Sequence, residues 1–318
     1  MTVPTEAKKE AEVELGPQYP GDDWLTARIR FHQSWWRARR LGLPAGSDAK
    51  GNLRGNYLTT EDGDAGRNFL TAVIHHTAQE RMKAGPGVEP TRCTRNLLSS
   101  QPMAFNLFGP LHADPTLAAL LLDPLLPGGV LAANVHFEYA PPREEHLGDA
   151  TSCDVAVRYT TRAGQPAFAG VECKLTEPFS QVSYGADPDD HRTQRYRAVA
   201  RRSSVWKDPD DPLHADVRWN QLWRNHLLVE SLRQHEPGLL GCQIVVHHPF
   251  DCNCRDACAG YSDLLAQPDA VFRELPLDQI VRAWRPLLRR PKDRRWLRDF
   301  EDRYLRLELS EPEWTALR

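Results

Sequence analysis

Three residues of types that can do chemistry lie near the middle of the chain. Asp154 lies in one run of alternating apolar and polar residues, and Glu172 and Lys174 lie two residues apart in the next run. Two carboxylates can hold a hydrated Mg²⁺ or Mn²⁺ ion, because hard cations take oxygen ligands and keep waters. An ammonium group beside them can position the attacking water and stabilise charge on phosphate oxygens. Together the three residue types predict metal-assisted hydrolysis of a phosphodiester bond.

A pair of predicted strands would bring the three residues together. Residues 152–160 and 167–175 both alternate apolar and polar side chains, with the period of half-buried strands. Between them lies a turn-like segment in which Gly164 can adopt a positive φ. An antiparallel hairpin about this turn sets Asp154 opposite Glu172 or its neighbour, with the two Cβ atoms about 4.5–5.5 Å apart.

The position of Lys174 has two interpretations. Lys174 follows Glu172 by two residues and therefore shares its face of the strand. A solvated hairpin face also carries Glu and Lys at this spacing, as an ordinary surface pair. Two like carboxylates on opposed strands would repel each other, so the matching position of Asp154 favours a cation site over a solvated surface.

The segments around these residues resemble a known nuclease family. Residues 151–154 (TSCD) and 171–177 (VECKLTE) are similar to the PD-(D/E)XK, or restriction-endonuclease-like, nuclease superfamily. They look most like a bacterial branch with a T-S-x-D strand and an E-x-K-x-T-E strand. Cys153 stands in place of the strict proline of the family motif, a departure that removes no metal ligand.

This resemblance implies both a fold and an activity. The fold is α/β, with a restriction-endonuclease-like αβββαβ core, a mixed central sheet flanked by helices, and an N-terminal helical extension. The activity is Mg²⁺- or Mn²⁺-dependent hydrolysis of phosphodiester bonds without an organic cofactor, with DNA the favoured substrate and RNA the alternative, since the motif acts on the phosphodiester and not on the sugar. Endo- or exodeoxyribonuclease action stays open, and so does the oligomeric state, for which a homodimer is one option. The hydrophobic patterns predict helices and strands in the same order, at 104–111, 116–125, 131–139, 152–160, 167–175, 217–234 and 239–247.

Four further residues are candidates for the same site. Glu138, on the first predicted strand, would be a third metal ligand or else a solvated strand end. Gln221 begins the helix after the motif strands, where the resemblance implies a group that assists catalysis near the metal. Arg224 and Asn225, on the same helix, could contact substrate phosphate, although arginine on a helix face is usually just solvated.

Two other segments could bind substrate. Ser100 and Gln101 resemble the first-helix segment of the same branch, which would send a polar group to the active site. The alternative is that they only cap a helix. Arg192 and Arg195 lie in a predicted loop, 181–212, that could cover bound DNA.

The cysteines pose a separate question about metal binding. Cys252, Cys254 and Cys258 form a C-x-C-x3-C pattern, and Cys242 or a histidine could supply a fourth ligand for zinc or an iron–sulfur cluster. The pattern lacks the paired C-x2-C spacing that is typical of zinc sites, so free thiols are favoured. The odd total of seven cysteines indicates a reducing, cytoplasmic setting.

Length and composition set the frame for these predictions. The 318 residues are enough for a large core, and the net charge of −3 restricts any nucleic-acid surface to a local patch. No apolar run approaches the roughly 20 residues of a membrane span, so no membrane association is predicted. The predicted organisation is a disordered tail (1–20), an N-terminal helical region (21–94), a nuclease-like core (95–265) and a C-terminal basic helical region (266–318).

Two functions from other classes compete with the nuclease. One is a catalytically silent nuclease-like fold that only binds nucleic acid. Silent members usually lose one of the three motif residues, and none is lost here. The other is a protein-interaction module stabilised by a structural metal ion on the segment from Cys252 to Cys258. Metal analysis of the purified protein would test this alternative.

Overall fold

The computed structural model describes residues 5–317, with side chains from residue 9 onward. The chain forms two compact units, one containing residues up to 109 together with 288 onward, and the other containing 110–287. This division differs from the predicted boundaries at 20, 94 and 265. Contacts between the two ends of a chain leave no local sequence pattern, so hydrophobic periodicity could not reveal them.

Helices and short strands dominate the first unit, and a five-stranded sheet dominates the second. The helices are α1 (Thr5–Leu15), α2 (Trp24–Trp35), α3 (Thr60–Asp64), α4 (Ala72–Lys83), α5 (Pro90–Arg95), α6 (Ser100–Ala113), α7 (Pro115–Leu122), α8 (His191–Arg201), α9 (Asn220–His235), α10 (Cys252–Ser262), α11 (Pro268–Val271), α12 (Leu277–Trp284), α13 (Pro291–Tyr304) and α14 (Glu311–Leu317). The strands are β1 (Gly46–Ser47), β2 (Leu53–Arg54), β3 (Ala132–Tyr139), β4 (Cys153–Thr160), β5 (Pro166–Lys174), β6 (Leu240–His247) and β7 (Phe272–Pro276). Among the described helices, none has the length and apolar character needed to cross a membrane.

The sheet of the second unit has the strand order β3-β4-β5-β6-β7. The first three strands form an antiparallel meander, and β6 and β7 then run parallel to β5. A parallel neighbour requires a crossover connection, which here contains α8 and α9. The result is a mixed sheet flanked by helices, so the predicted α/β fold with an αβββαβ core is confirmed.

Strand β5 is buried on both of its faces, although its alternating pattern predicted a half-buried strand. Every residue from Ala167 to Lys174 is buried. Helix α9 covers the face that carries Phe168 and Glu172, and its Val229 packs in one cluster with Phe168. The polar residues of this face are therefore inside the protein, and the alternative of a solvated hairpin face does not hold.

Two glycines allow α9 to lie close to the sheet. A Cβ atom added to Gly170 of β5 would lie 3.0 Å from Val229 Cγ2 and 2.8 Å from Cys153 Sγ. A Cβ added to Gly241 of β6 would lie 2.7 Å from Val229 Cγ1. Both contacts are tighter than carbon and sulfur atoms tolerate, so a larger residue at either position would push the helix away.

We expect Gly170→Ala to destabilise the protein by about 1–3 kcal/mol, the usual effect of overpacking a dense core. The midpoint of thermal unfolding, followed by circular dichroism, measures this effect. Val229→Ala is the matched background, because it removes the helix side of the clash, and Gly170→Ala should cost less stability in that background than in the parent. A Gly170→Ala variant that melts like the parent would show that α9 does not lie at this distance.

The connection between β5 and α9 contains a helix that was predicted as loop. Residues 191–201 form α8, with the Asp190 side chain capping its first turn. Tyr196 and Val199 bury the inner face of this helix. The prediction of a loop over 181–212 is therefore wrong for this stretch, because the many charged residues of α8 obscure a short apolar stripe that only tertiary packing makes sufficient.

The first unit contains a helix within the segment 1–20, for which a disordered tail was predicted. Residues 5–15 form α1, and Leu15 at its end packs in a cluster with Phe31 and Trp36. The buried guanidinium of Arg37 donates to the carbonyl oxygen of Leu15 at 3.1 Å, which satisfies an orphan acceptor at the end of the helix. Residues 1–4 of the predicted tail lie outside the described residues.

The C-terminal segment also differs from the predicted basic helical region at 266–318. Its residues up to 287 belong to the sheet-containing unit, and those from 288 onward belong to the first unit. In the first unit, buried Arg303 donates to the backbone and side-chain oxygens of Asn68, each at 2.6 Å. This arginine therefore has a structural role and is not part of a solvated basic surface.

Candidate active site

The hairpin of β4 and β5 has the register that the sequence predicted. Val155 pairs with Val171, and the same register continued by one residue sets Asp154 across from Glu172. The connecting turn contains Gly164 with a φ of 82°, in the left-handed region that favours glycine. The turn and the period-two pattern together explain why these two carboxylates share one end of the sheet.

Glu172 is buried, with 5% of its surface exposed, and three groups contact its carboxylate. The ammonium of Lys174 lies 2.9 Å from Oε1. The side-chain amides of Gln221 and Asn225 donate to Oε1 and Oε2, each at 2.7 Å. Burial of a charge is unfavourable unless it is paired and hydrogen-bonded, and these contacts offset that cost.

Lys174 is also buried, and its ammonium faces several acceptors. Besides Glu172, it donates to Gln221 Oε1 at 3.3 Å, and it lies 5.0 Å from the centroid of the Phe179 ring. Burial by itself lowers the pKa of Lys174, but the negative charges of Glu172 and Asp154 outweigh it and raise this pKa above the ordinary value. Lys174 is therefore a positive charge at neutral pH, suited to stabilising an anion rather than to removing a proton.

Asp154 has less support than Glu172. Its Oδ2 accepts one hydrogen bond from the backbone N–H of Cys173, at 2.7 Å. Burial raises the pKa of Asp154 well above the ordinary value, and the charges of Glu172 and Glu138 raise it further. A bound cation would reverse this effect, since an adjacent positive charge favours the ionised carboxylate.

Glu138 lies at the point where β3 comes nearest to this group. It interrupts the pairing of β3 with β4, at the position across from Asp154. Its φ of 48° makes it the one non-glycine residue with a positive φ among the residues that the structure describes. Such a conformation costs on the order of 1–3 kcal/mol and is typical of functional sites. The strain and the electrostatic contact with Asp154 agree with a place for Glu138 in the site.

Helix α9 positions the two amides that contact Glu172. Gln221 and Asn225 are four residues apart and therefore lie on one face of the helix, in line with Val229. Gln221 Oε1 also accepts from the backbone N–H of Ser180 at 2.7 Å, which ties the loop after β5 to the helix. Asn225 was predicted to contact substrate phosphate, whereas in the structure its amide holds Glu172. The four-residue spacing from Gln221 was the sequence signal for this role.

The arginines predicted to bind substrate lie on α8 and α9, where they contact residues other than Glu172. Arg192 and Arg224 both lie against the ring of Tyr184. Arg195 is exposed on α8, and its Nη1 donates to the carbonyl oxygen of Arg143 at 3.5 Å.

Ser100 and Gln101 begin α6 in the first unit. The side chain of Gln101 has local partners there, donating to the Gly87 carbonyl and accepting from the Glu89 N–H, each at 3.2 Å. These contacts join Gln101 to the loop before α5.

The structure does not bring the four predicted metal-binding cysteines together. Cys252 and Cys254 lie in helix α10 rather than in a loop, and Cys252 is exposed while Cys254, Cys258 and Cys242 are buried. All seven cysteines are free thiols. Within residues 5–317, no three His, Cys, Asp or Glu side chains are arranged as a ready-made metal site, and this includes the carboxylates around Asp154.

Comparison with known proteins gives one match. A family model described as the PD-(D/E)XK nuclease superfamily matches residues 20–306, which is most of the chain. No curated protein and no solved structure matches. The matched range includes the whole sheet with Asp154, Glu172 and Lys174, on the fold that the strand order shows. The chain belongs to the PD-(D/E)XK nuclease superfamily.

Proposed function

We propose that this protein is a Mg²⁺-dependent nuclease that hydrolyses phosphodiester bonds in DNA. The observation that carries the proposal is the pair of buried residues Glu172 and Lys174 beside the half-buried Asp154, in a chain of a nuclease superfamily. A buried ion pair of Glu172 and Lys174 is weak evidence for a purely structural role, because apolar residues of the same shape would often be as stable or more stable. All three motif residues are present, which argues against a silent relative that has lost one of them.

The residues present fit a divalent cation. Asp154 and Glu172 offer carboxylate oxygens, the ligands that Mg²⁺ and Mn²⁺ prefer, and Glu138 is a third carboxylate across from Asp154. Burial, together with the charges of Glu172 and Glu138, raises the pKa of Asp154, and a cation beside it would favour the ionised carboxylate. When bound there, the ion would polarise the phosphodiester and lower the pKa of a coordinated water.

The remaining residues hold and stabilise the reacting groups. Lys174, charged at neutral pH, lies where it can stabilise negative charge on the phosphate oxygens. Gln221 contacts both Glu172 and Lys174 and fixes their separation, while Asn225 fixes the second oxygen of Glu172. These two amides are positioning residues, because each acts through another side chain.

Cleavage assays with different metals and substrates test this proposal. We expect Mg²⁺ or Mn²⁺ to support hydrolysis of DNA and EDTA to abolish it, because the carboxylates need a cation to bind a phosphate. Linear, circular and single-stranded DNA and RNA, each incubated with and without metal, would separate endo- from exonuclease action and DNA from RNA. Full activity in EDTA would rule out the metal-dependent mechanism, and no cleavage of any substrate would favour a binding module.

A further inference from the structure

Two arginines share one tyrosine in the loop that follows β5. The guanidinium carbon of Arg192, on α8, lies 4.9 Å from the centroid of the Tyr184 ring, and that of Arg224, on α9, lies 4.8 Å from it. A cation within about 6 Å of an aromatic ring is attracted by the negative charge of its π-electrons. The tyrosine thus stabilises two positive charges that would otherwise repel each other.

Neither of these guanidinium groups is neutralised within the part of the chain that the structure describes. No carboxylate forms an ion pair with Arg192 or Arg224, and the Nε of Arg224 is buried without a hydrogen-bond partner. Neighbouring arginines differ in this respect, since Arg201 lies 2.9 Å from Asp210 and Arg218 lies 2.7 Å from a carboxylate oxygen of Asp216. A buried donor without an acceptor costs about 1–3 kcal/mol, so an anion that supplied the acceptor would bind favourably.

The tyrosine is fixed to the helix that carries the candidate active site. Asn220, the first residue of α9, accepts from the N–H of Tyr184 at 3.0 Å and donates to its carbonyl oxygen at 2.7 Å. The next residue, Gln221, donates to Glu172, and Arg224 follows Gln221 by three residues on the same helix. Three residues advance a helix by about 4.5 Å, which places Arg224 within one turn of the Gln221 contact.

We propose that Arg192 and Arg224, held by Tyr184, form a subsite for a backbone phosphate next to the one that is cleaved. The proposal rests on the proposed nuclease function, which it deepens by naming how the substrate is held. A guanidinium group presents a planar fork of donors that matches phosphate oxygens. Contacts to phosphate carry no sequence information, so binding at this subsite is independent of base sequence.

Salt-dependent binding tests this subsite separately from cleavage. The probe is a fluorescent DNA duplex, and its anisotropy is measured over a KCl series in EDTA and again in Ca²⁺. Each phosphate contact contributes about −0.9 to the slope of log K against log salt concentration. The double variant Arg192→Gln/Arg224→Gln removes one phosphate contact and is expected to make this slope shallower by about 1, with an equal loss of affinity for two duplexes of unrelated sequence.

Two other variants are matched controls for this experiment. Arg218→Gln removes an arginine that also lies over an aromatic ring, 4.4 Å from the centroid of Trp219, but that Asp216 already neutralises. Arg201→Gln removes a neutralised arginine from the same helix as Arg192. Both should keep the parent slope, and thermal unfolding checks that every variant is folded.

The outcomes separate the subsite from the nuclease. If the double variant shows the shallower slope but the parent cleaves no substrate, the phosphate subsite is supported and the proposed nuclease activity is rejected. A parent slope in the double variant, with DNA cleavage intact, would reject the subsite alone. Absence of any DNA binding by the parent in both EDTA and Ca²⁺ would also overturn the subsite.

Discussion

Lys174→Met is expected to lower the rate of DNA cleavage by at least about 10²–10³-fold, the loss seen when one preorganised charge-stabilising group is removed from an active site. The methionine side chain keeps much of the apolar volume of lysine but supplies no charge to the phosphate oxygens. Single-turnover cleavage of a labelled duplex in saturating Mg²⁺ measures the chemical step directly. A variant that cleaves at the parent rate would remove Lys174 from the mechanism.

The same substitution tests how the buried ion pair contributes to folding. Removing one partner of a buried pair can cost about 3–5 kcal/mol, because the other charge is left uncompensated. Here Glu172 keeps its hydrogen bonds from Gln221 and Asn225, so we expect a loss below that range. Lys207→Met is the control for loss of a lysine, since Lys207 is exposed and donates to the Asp263 carbonyl at 2.8 Å. It should retain both the parent rate and the parent melting temperature.

The sheet and its hairpin could be predicted because their signals are local. Alternation with a period of two marks each strand within a few residues, and Gly164 marks the turn. The observed strands, Cys153–Thr160 and Pro166–Lys174, differ from the predicted ranges by one residue at each shifted end. The register then follows from the turn, because a slip of one residue would turn every side chain to the other face.

The hydrogen bonds that hold Glu172 in place could not be predicted, because they depend on which helix covers the sheet. The sequence identified Gln221 as a candidate but could not show that Asn225 holds the same carboxylate, since that needs the distance between α9 and β5. That distance depends on Gly170 and Gly241, whose role appears only when the helix is in place. The strain at Glu138 is likewise invisible in a sequence, where a glutamate in a strand has no special mark.

Asp154→Asn is expected to abolish metal-dependent cleavage while making the metal-free protein more stable. Asparagine can still accept the hydrogen bond from the N–H of Cys173, but it removes a negative charge beside Glu172 and Glu138. Removing a charge that serves function at the expense of folding typically stabilises a protein by about 0.5–2 kcal/mol. Thermal unfolding in EDTA at pH 7.5 should show a melting temperature a few degrees higher than that of the parent.

The stabilisation should depend on pH in a direction that the raised pKa of Asp154 dictates. The folded protein holds the Asp154 proton more tightly than the unfolded chain, so the parent loses stability as the pH rises from the ordinary carboxyl value, 3.8, through the folded-state value. The difference between variant and parent should therefore be largest at neutral pH and shrink as the pH falls towards that ordinary value. A variant that is less stable than the parent at every pH would show that Asp154 does not carry this electrostatic cost.

Added Mg²⁺ should reverse the order of stability, because a ligand that binds only the folded state stabilises it. The parent gains stability as its carboxylates bind the ion, with a rise in melting temperature that grows with the logarithm of metal concentration. The asparagine variant lacks one ligand charge and should gain much less. Equal gains in melting temperature in the two proteins would show that the metal binds elsewhere. A gain confined to the parent would show that the charge of Asp154, which destabilises the metal-free protein, is what binds the ion.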